Sequence, residues 1–141
     1  MSYDRAADLI RKHEGFRDHV YMDTEGVPTC GYGHALIEGS YVPPYICERF
    51  FAQDFRNAVS DYDQFGFDID FVRKAVVINM LFNLGVNRFK TFRKLINALH
   101  HQDYLIAAYE MIDSKWAKQV GPNRSGELAN MMLTGEWPDG V

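Results

Sequence analysis

An α+β, mostly α fold is predicted for this chain, and three observations predict it. Helical periodicity runs through both ends of the sequence. A glycine-punctuated stretch of different texture, residues 16–36, interrupts it once. No internal repeat and no low-complexity linker breaks the 141 residues into independent pieces. The length and the 47% apolar content suit one domain with its own core, so neither a disulfide framework nor a structural metal is needed for folding. Ten Phe and eight Tyr beside 24% charge exclude a disordered chain. No apolar run approaches the roughly 20 residues of a membrane span.

Residues 2–14 read as the first helix, with Ser2 as N-cap and Gly15 just past the end. Tyr3, Ala6, Ala7, Ile10 and Glu14 fall on one face of it. Asp23-Thr24-Glu25-Gly26 is a turn signal separating Asp18–Met22 from Val27–Tyr32, which predicts a hairpin or small sheet. Pro43-Pro44 opens a long helix to about Tyr62, striped by Ile46, Phe50, Phe51, Phe55, Ala58, Val59 and Tyr62. Asp70 can cap an apolar helix over Phe71–Leu84 that Gly85 ends. Helices are expected over Asn87–Leu99, Asp103–Asp113 and Ser125–Leu133, with a short turn around Lys115–Gln119. The expected layout is a helix-and-hairpin lobe (about 1–43), a connecting helix (about 44–62) and a helical lobe (about 63–141). A cleft between lobes is where a ligand is expected.

Net charge is −4, which disfavours a general nucleic-acid binder. Residues 1–66 carry 6 basic and 11 acidic side chains, and residues 67–141 carry 9 and 8, an asymmetry that names no partner by itself. Cys30 and Cys47 lack a nearby His or Cys at ligand spacing and read as two reduced thiols; no metal is expected. Met1-Ser2-Tyr3-Asp4-Arg5 enters a helical pattern with no signal-peptide core, so a soluble product made in the cytoplasm is expected.

Glu14 continues the apolar stripe of the first helix at its C-terminal end. Partial burial and the negative end of the helix dipole would both disfavour its carboxylate, the setting a general acid needs. The alternative is a helix-end Glu that swings out to water. Asp23 opens its turn as an Asx residue bonding backbone amides two residues on, which suits an ionised base or electrostatic partner. One carboxyl on a helix end and another on a nearby hairpin meet the requirement for glycosidic bond hydrolysis. Thr29 follows on the second strand, able on this spacing to lie across from Asp23 and share a water with it. Gly31-Tyr32-Gly33-His34 is too short and badly placed for a phosphate loop, and its glycines let the backbone bend tightly close to the first helix.

The run His13-Glu14-Gly15-Phe16, Tyr21-Met22-Asp23-Thr24-Glu25-Gly26, Thr29-Cys30-Gly31-Tyr32-Gly33-His34 resembles the tailed-phage lysozymes (endolysins) of glycoside hydrolase family 24. Their pattern of Glu, eight residues, Asp, five residues, Thr is met at Glu14, Asp23 and Thr29. The resemblance continues through Ile78–Asn83, Ser114-Lys115-Trp116, Pro122-Asn123-Arg124 and Thr134-Gly135-Glu136-Trp137, and is weakest over residues 37–50. It implies a two-lobed lysozyme-like fold and a muramidase acting on peptidoglycan without metal or cofactor. By that similarity Glu14 is the general acid, Asp23 the second carboxyl and Thr29 the hydroxyl that helps place water. Arg124 resembles the family's arginine near the catalytic Glu, where a guanidinium would oppose the upward push on that carboxyl. His34 and Asp54 match an ion pair tying the hairpin end to the long helix, and Ala35, Phe82 and Asn83 fall where the sugar groove is lined.

The resemblance further implies a lysis enzyme that waits in the host cytoplasm until a holin opens the inner membrane. It then reaches the periplasm or cell wall as a monomer with no membrane anchor and no nucleic-acid partner. A lysozyme-like module that binds peptidoglycan without cleaving it is the alternative. The departures are a shorter region between His34 and the long helix, Gly121 inserted before Pro122-Asn123-Arg124, and an acidic chain. The last implies weaker electrostatic steering to an anionic wall.

Overall fold

The computed structural model describes residues 3–141, and the chain divides into two compact units, Met1–Pro44 and Tyr45–Val141. In the first, α1 spans Asp4–Glu14, with Asp4 in its first turn and Arg11, Lys12 and His13 in its last, the charge order that suits the helix dipole. The expected Ser2 cap lies outside the described residues; Tyr3 stands at the N-cap with no side-chain cap bond. Gly15 leaves the helix at φ 72°, its N–H bonding the Arg11 carbonyl.

Three strands follow as an antiparallel sheet in the order β1 (Arg17–Met22), β2 (Pro28–Gly31), β3 (His34–Ala35). Tyr21 pairs with Thr29 and Met22 with Pro28, and an irregularity in β1 separates this register from the Arg17–Gly31 pair. The sheet is small, and Thr29 is the one buried residue among those described in this unit.

The second unit holds α2 (Pro44–Asp63, from Tyr45 onward), α3 (Phe71–Leu84), α4 (Val86–Phe89), α5 (Arg93–His100), α6 (Tyr104–Ile112), α7 (Lys115–Val120) and α8 (Pro122–Thr134). Asp70 caps α3 by accepting from the Arg73 N–H, and Gly85 ends it, both as expected. The core gathers Val76, Val77, Met80 and Leu81 of α3 with Phe89, Leu95, Leu99, Met111, Trp116 and Met132.

Three expectations change. The apolar stripe of α2 is buried only at its far end, at Ala58 and Tyr62, while Phe50, Phe51 and Phe55 are exposed. The single helix expected over residues 87–99 is two, α4 and α5. Its periodicity survives, but the Thr91 hydroxyl donates to the Arg88 carbonyl at 2.6 Å and Phe92 turns to ψ 63°, which breaks the ladder. Finally, α8 starts three residues earlier than expected, because Pro122 at its first turn needs no N–H partner there.

Arg73 ties two of these helices together. Its guanidinium donates to the Met132 and Leu133 carbonyls at 2.6 and 2.9 Å, to Asp70 at 2.9 Å, and lies 3.6 Å over the Tyr104 ring. A cation thus satisfies the last carbonyls of α8. Gly135, at φ 72°, is required beside it: a Cβ there would stand 2.8 Å from the guanidinium.

Candidate active site

Glu14 is the last residue of α1, and the turn between β2 and β3 comes up against it. A Cβ on Gly33 would lie 2.5 Å from a Glu14 carboxylate oxygen, the far end of an exposed side chain that can swing aside, and Gly33 has φ 74°, so it is the backbone conformation that calls for glycine. This is the tight bend near the first helix that the glycine spacing predicts. Tyr32 in the same turn meets Phe16 with ring centroids 5.2 Å apart, and the Arg11 guanidinium stands 6.0 Å from its ring. Glu14 itself is exposed, and α1 buries none of its residues. The expected partial burial of this carboxyl is therefore not met, because one helix beside a three-stranded sheet offers too little surface to cover it.

Asp23 makes the Asx turn expected of it. Its Oδ1 accepts from the N–H of Glu25 at 2.8 Å and of Val27 at 2.9 Å, while its own N–H donates to the Val27 carbonyl. Thr29 is 4% exposed, and its hydroxyl donates to the same Val27 carbonyl at 2.8 Å. The register corrects one expectation. Thr29 lies across from Tyr21, not Asp23, because the three residues Thr24, Glu25 and Gly26 set Asp23 opposite Val27. The two side chains converge instead on the backbone of one residue: Asp23 holds the N–H of Val27 and Thr29 its carbonyl. Ala35 pairs with Thr29 across the sheet and is half-buried, and His34 beside it is exposed.

In the second unit, α3 carries two of the sequence-predicted residues, Phe82 and Asn83, and meets a third, Arg124, through Asn79. Asn79, Phe82 and Asn83 share one face at helical spacing, and Asn79 Oδ1 accepts from Arg124 Nη2 at 2.7 Å and Nε at 3.3 Å. A mainly apolar cavity of about 450 Å³ runs along this face, with Phe51, Phe55, Phe82 and Trp137 as its aromatic wall and Asn79 and Arg124 at its polar edge. Phe82 is 40% exposed and meets the Phe51 ring at a tilt with centroids 5.6 Å apart, so it stands at the surface and not in the core. Asn83 Oδ1 accepts from the buried Trp116 indole at 3.1 Å. Asp54 is an exposed residue of α2.

Sequence reasoning missed Asn79 and Val27 as partners. Asn79 was findable, since it lies three and four residues before Phe82 and Asn83. Val27 was not, because its contribution is backbone alone. Cys30 and Cys47 form no disulfide. Among the described residues no group of three or more His, Cys, Asp and Glu could hold a metal, and no helix is long and apolar enough to cross a membrane.

Residues 11–130 match the profile of the family described as phage lysozyme. The chain belongs to the phage lysozyme family. The match takes in the residues just placed in the candidate site from Glu14 to Arg124, while Trp137 of the cavity wall lies beyond it. Among relatives, the chain is 28% identical to "Probable T4-type lysozyme 1" of Dictyostelium discoideum, covering 91% of this chain and 93% of that protein. It is 26% identical to "Probable T4-type lysozyme 2" of the same organism over the same shares. It is also 26% identical to the "Pre-baseplate central spike protein Gp5" of Enterobacteria phage T4, matching 92% of this chain but 28% of that protein. Membership of the phage lysozyme family supports a lysozyme-like glycoside hydrolase that acts on peptidoglycan.

Proposed function

We propose that this chain is a muramidase that cleaves the β-1,4 bond between N-acetylmuramic acid and N-acetylglucosamine, used for host cell lysis. One observation carries the reading. The Glu–Asp–Thr pattern of a phage lysozyme-family chain is folded so that Glu14 ends a helix beside Gly33, while Asp23 and Thr29 hold the N–H and the carbonyl of one residue, Val27.

In the proposed mechanism Glu14 protonates the leaving glycosidic oxygen as general acid. Asp23 has one oxygen committed to two backbone N–H groups, which fixes the carboxyl and leaves Oδ2 to accept from an attacking water. The Thr29 hydroxyl donates its hydrogen bond to the Val27 carbonyl, so what it offers that water is a lone pair. A water donating to both, on the sugar face opposite Glu14, bonds to the anomeric carbon as the bond to the leaving oxygen breaks and gives its proton to Asp23, which is inversion. It requires the two carboxyls about 6.5–9.5 Å apart in the working enzyme, against about 5–5.5 Å for retention.

Ala35, Phe82 and Asn83 are proposed to line the sugar groove, Arg124 to work near Glu14, and His34 and Asp54 to pair. A double-mutant cycle should give His34 and Asp54 a coupling of about 0.5–3 kcal/mol, and additivity within a few tenths would refute the pair. The reading includes no cofactor. It includes a monomer held in the host cytoplasm and released to the wall by a holin.

Purified chain added to isolated cell walls should lower turbidity and release new reducing ends. Walls that bind the chain but stay intact would make it a binding module instead. Proton NMR of the nascent product should show the α anomer first; a β anomer first, or a sugar ester trapped on Asp23, would exclude the water-base role.

A further inference from the structure

We propose that the outer face of α6 is a self-association surface, on which a second copy of this chain packs its own α6 in the reverse direction. A surface helix normally turns a polar side to water, yet Glu110 is the one charged residue within the nine of α6. Ala107, Ala108 and Met111 turn into the core. Leu105, Tyr109 and Ile112 stand out of it, at 70%, 62% and 49% exposure. Their spacings of four and three residues are those of a helix-packing seam, and their exposure leaves that seam without a facing helix among the described residues.

The chemistry around the seam selects its occupant. Ile106 and Glu110 line a groove with Arg93 and Lys94 of α5, and Glu110 and Asp113 line another with Arg88 and Lys115. Leu105, Tyr109 and Ile112 line neither, so the strip they form is separate from both grooves and uncharged. An anionic lipid surface calls for cations around an apolar strip. Here the residues that cap α6 at its two ends are both acids, Asp103 and Asp113, and the chain carries a net charge of −4.

An apolar strip with polar ends is instead complementary to itself, as a two-fold contact requires. Run antiparallel, Leu105 of each copy meets Ile112 of the other, and Tyr109 meets Tyr109 at the centre. Run parallel, Asp103 would face Asp103, Asp113 would face Asp113, and the helix dipoles would align. The reversed order sets each Asp103 against the end where Lys115 follows Asp113. Three side chains from each copy make a contact of the weak, transient class, under about 1,200 Å² in total. The dilute chain is thus the monomer of the functional reading, and copies pair as the chain accumulates.

In sedimentation equilibrium of the full chain, the mean mass should rise from one chain toward two as concentration climbs toward about 1 mM. Tyr109→Lys sets two like charges at the centre of the seam. It should move that rise to a concentration at least about tenfold higher, with the melting temperature unmoved. A mixture of two variants tests the direction. Leu105→Lys and Ile112→Asp should each stay single alone, and their equimolar mixture should pair again. The reversed seam brings the introduced cation against the introduced acid and keeps one native Leu105–Ile112 contact. In the ¹H–¹⁵N spectrum of the wild type, the amides that shift with concentration should be those of α6, which reads the face without any variant. A chain that stays single up to about 1 mM overturns the proposal. Cosedimentation of such a single chain with phosphatidylglycerol vesicles would make α6 a lipid-facing surface instead. Pairing that survives Tyr109→Lys, or a mixture no better paired than its parts, overturns it too.

Discussion

In the first unit Thr29 is the one buried residue among those described, whereas the second keeps a contiguous core from Ala58 to Met132. The two hold their functional side chains by different means. Around Asp23 and Thr29 the fixing partners are backbone groups of one tight turn, and Glu14 lies against Gly33, whose missing side chain leaves room for the carboxylate. On α3 the fixing partners are other side chains, Trp116 for Asn83 and Asn79 with Arg124, set by helices that the core holds in register. The difference teaches where sensitivity should lie. Stability belongs to the second unit, and the proposed proton chemistry belongs to the first, where little packing resists change.

Substitutions that separate stability from activity test this contrast, and the largest effect should come from the core. Leu99 is fully buried, so Leu99→Ala should cost about 2–5 kcal/mol in denaturant unfolding. A loss under about 1 kcal/mol would mean that the second unit does not carry the fold. Glu14→Gln should do the reverse: lysis falls by at least the roughly 100-fold typical of one acid–base group, with the melting temperature unmoved. Near-wild-type lysis by folded Glu14→Gln protein would remove Glu14 from the mechanism.

Gly33→Ala should fall between them, straining a left-handed residue by about 1–2 kcal/mol. It should also push the Glu14 carboxylate aside, so lysis should drop beyond what the lost stability explains. Equal losses in the two measurements would mean that Gly33 serves the turn alone.

The smallest effect sharpens the electrostatics of the second unit. Burial pushes the Asp70 carboxyl up, but hydrogen bonds from the Arg73 side chain and N–H, with the charge of Arg73, outweigh it and hold the carboxyl below its ordinary value. A carboxyl depressed in the folded state stabilises above its unfolded pKa of about 3.9, and the contribution is lost as pH falls through the folded value. Asp70 is partly exposed, so the Asp70→Asn cost should be no more than about 1 kcal/mol near neutral pH. It should shrink as pH falls below about 4. Thermal melts of the two proteins across that range check it; a gap that widens on acidification would reverse the sign of the Asp70–Arg73 contribution.

Much of this molecule was legible in the sequence because the signals were local. The α3 boundaries follow from Asp70 and Gly85, which act on their own helix ends. The Asx turn at Asp23 needs only the backbone within four residues, and the Glu–Asp–Thr spacing carried the resemblance that family membership later supported. What failed depended on partners distant in sequence or on competing local bonds. The stripe through Phe50, Phe51 and Phe55 has helical periodicity, but periodicity states which residues share a face and not whether anything covers it. The Thr91 hydroxyl outcompeted a pattern that otherwise continues through residues 87–99.

The sequence by itself determined the element types, the capped helix ends, the site of the turn and the residue types able to do acid–base chemistry. All of these depend on interactions within a few residues. Only the tertiary structure decided that Thr29 faces Tyr21, that Asn79 holds Arg124 and that Trp116 orients Asn83. Strand register and helix packing bring those groups together across gaps of 8, 45 and 33 residues. Contacts at such separations are chosen by how the whole core packs, because no local preference spans that distance.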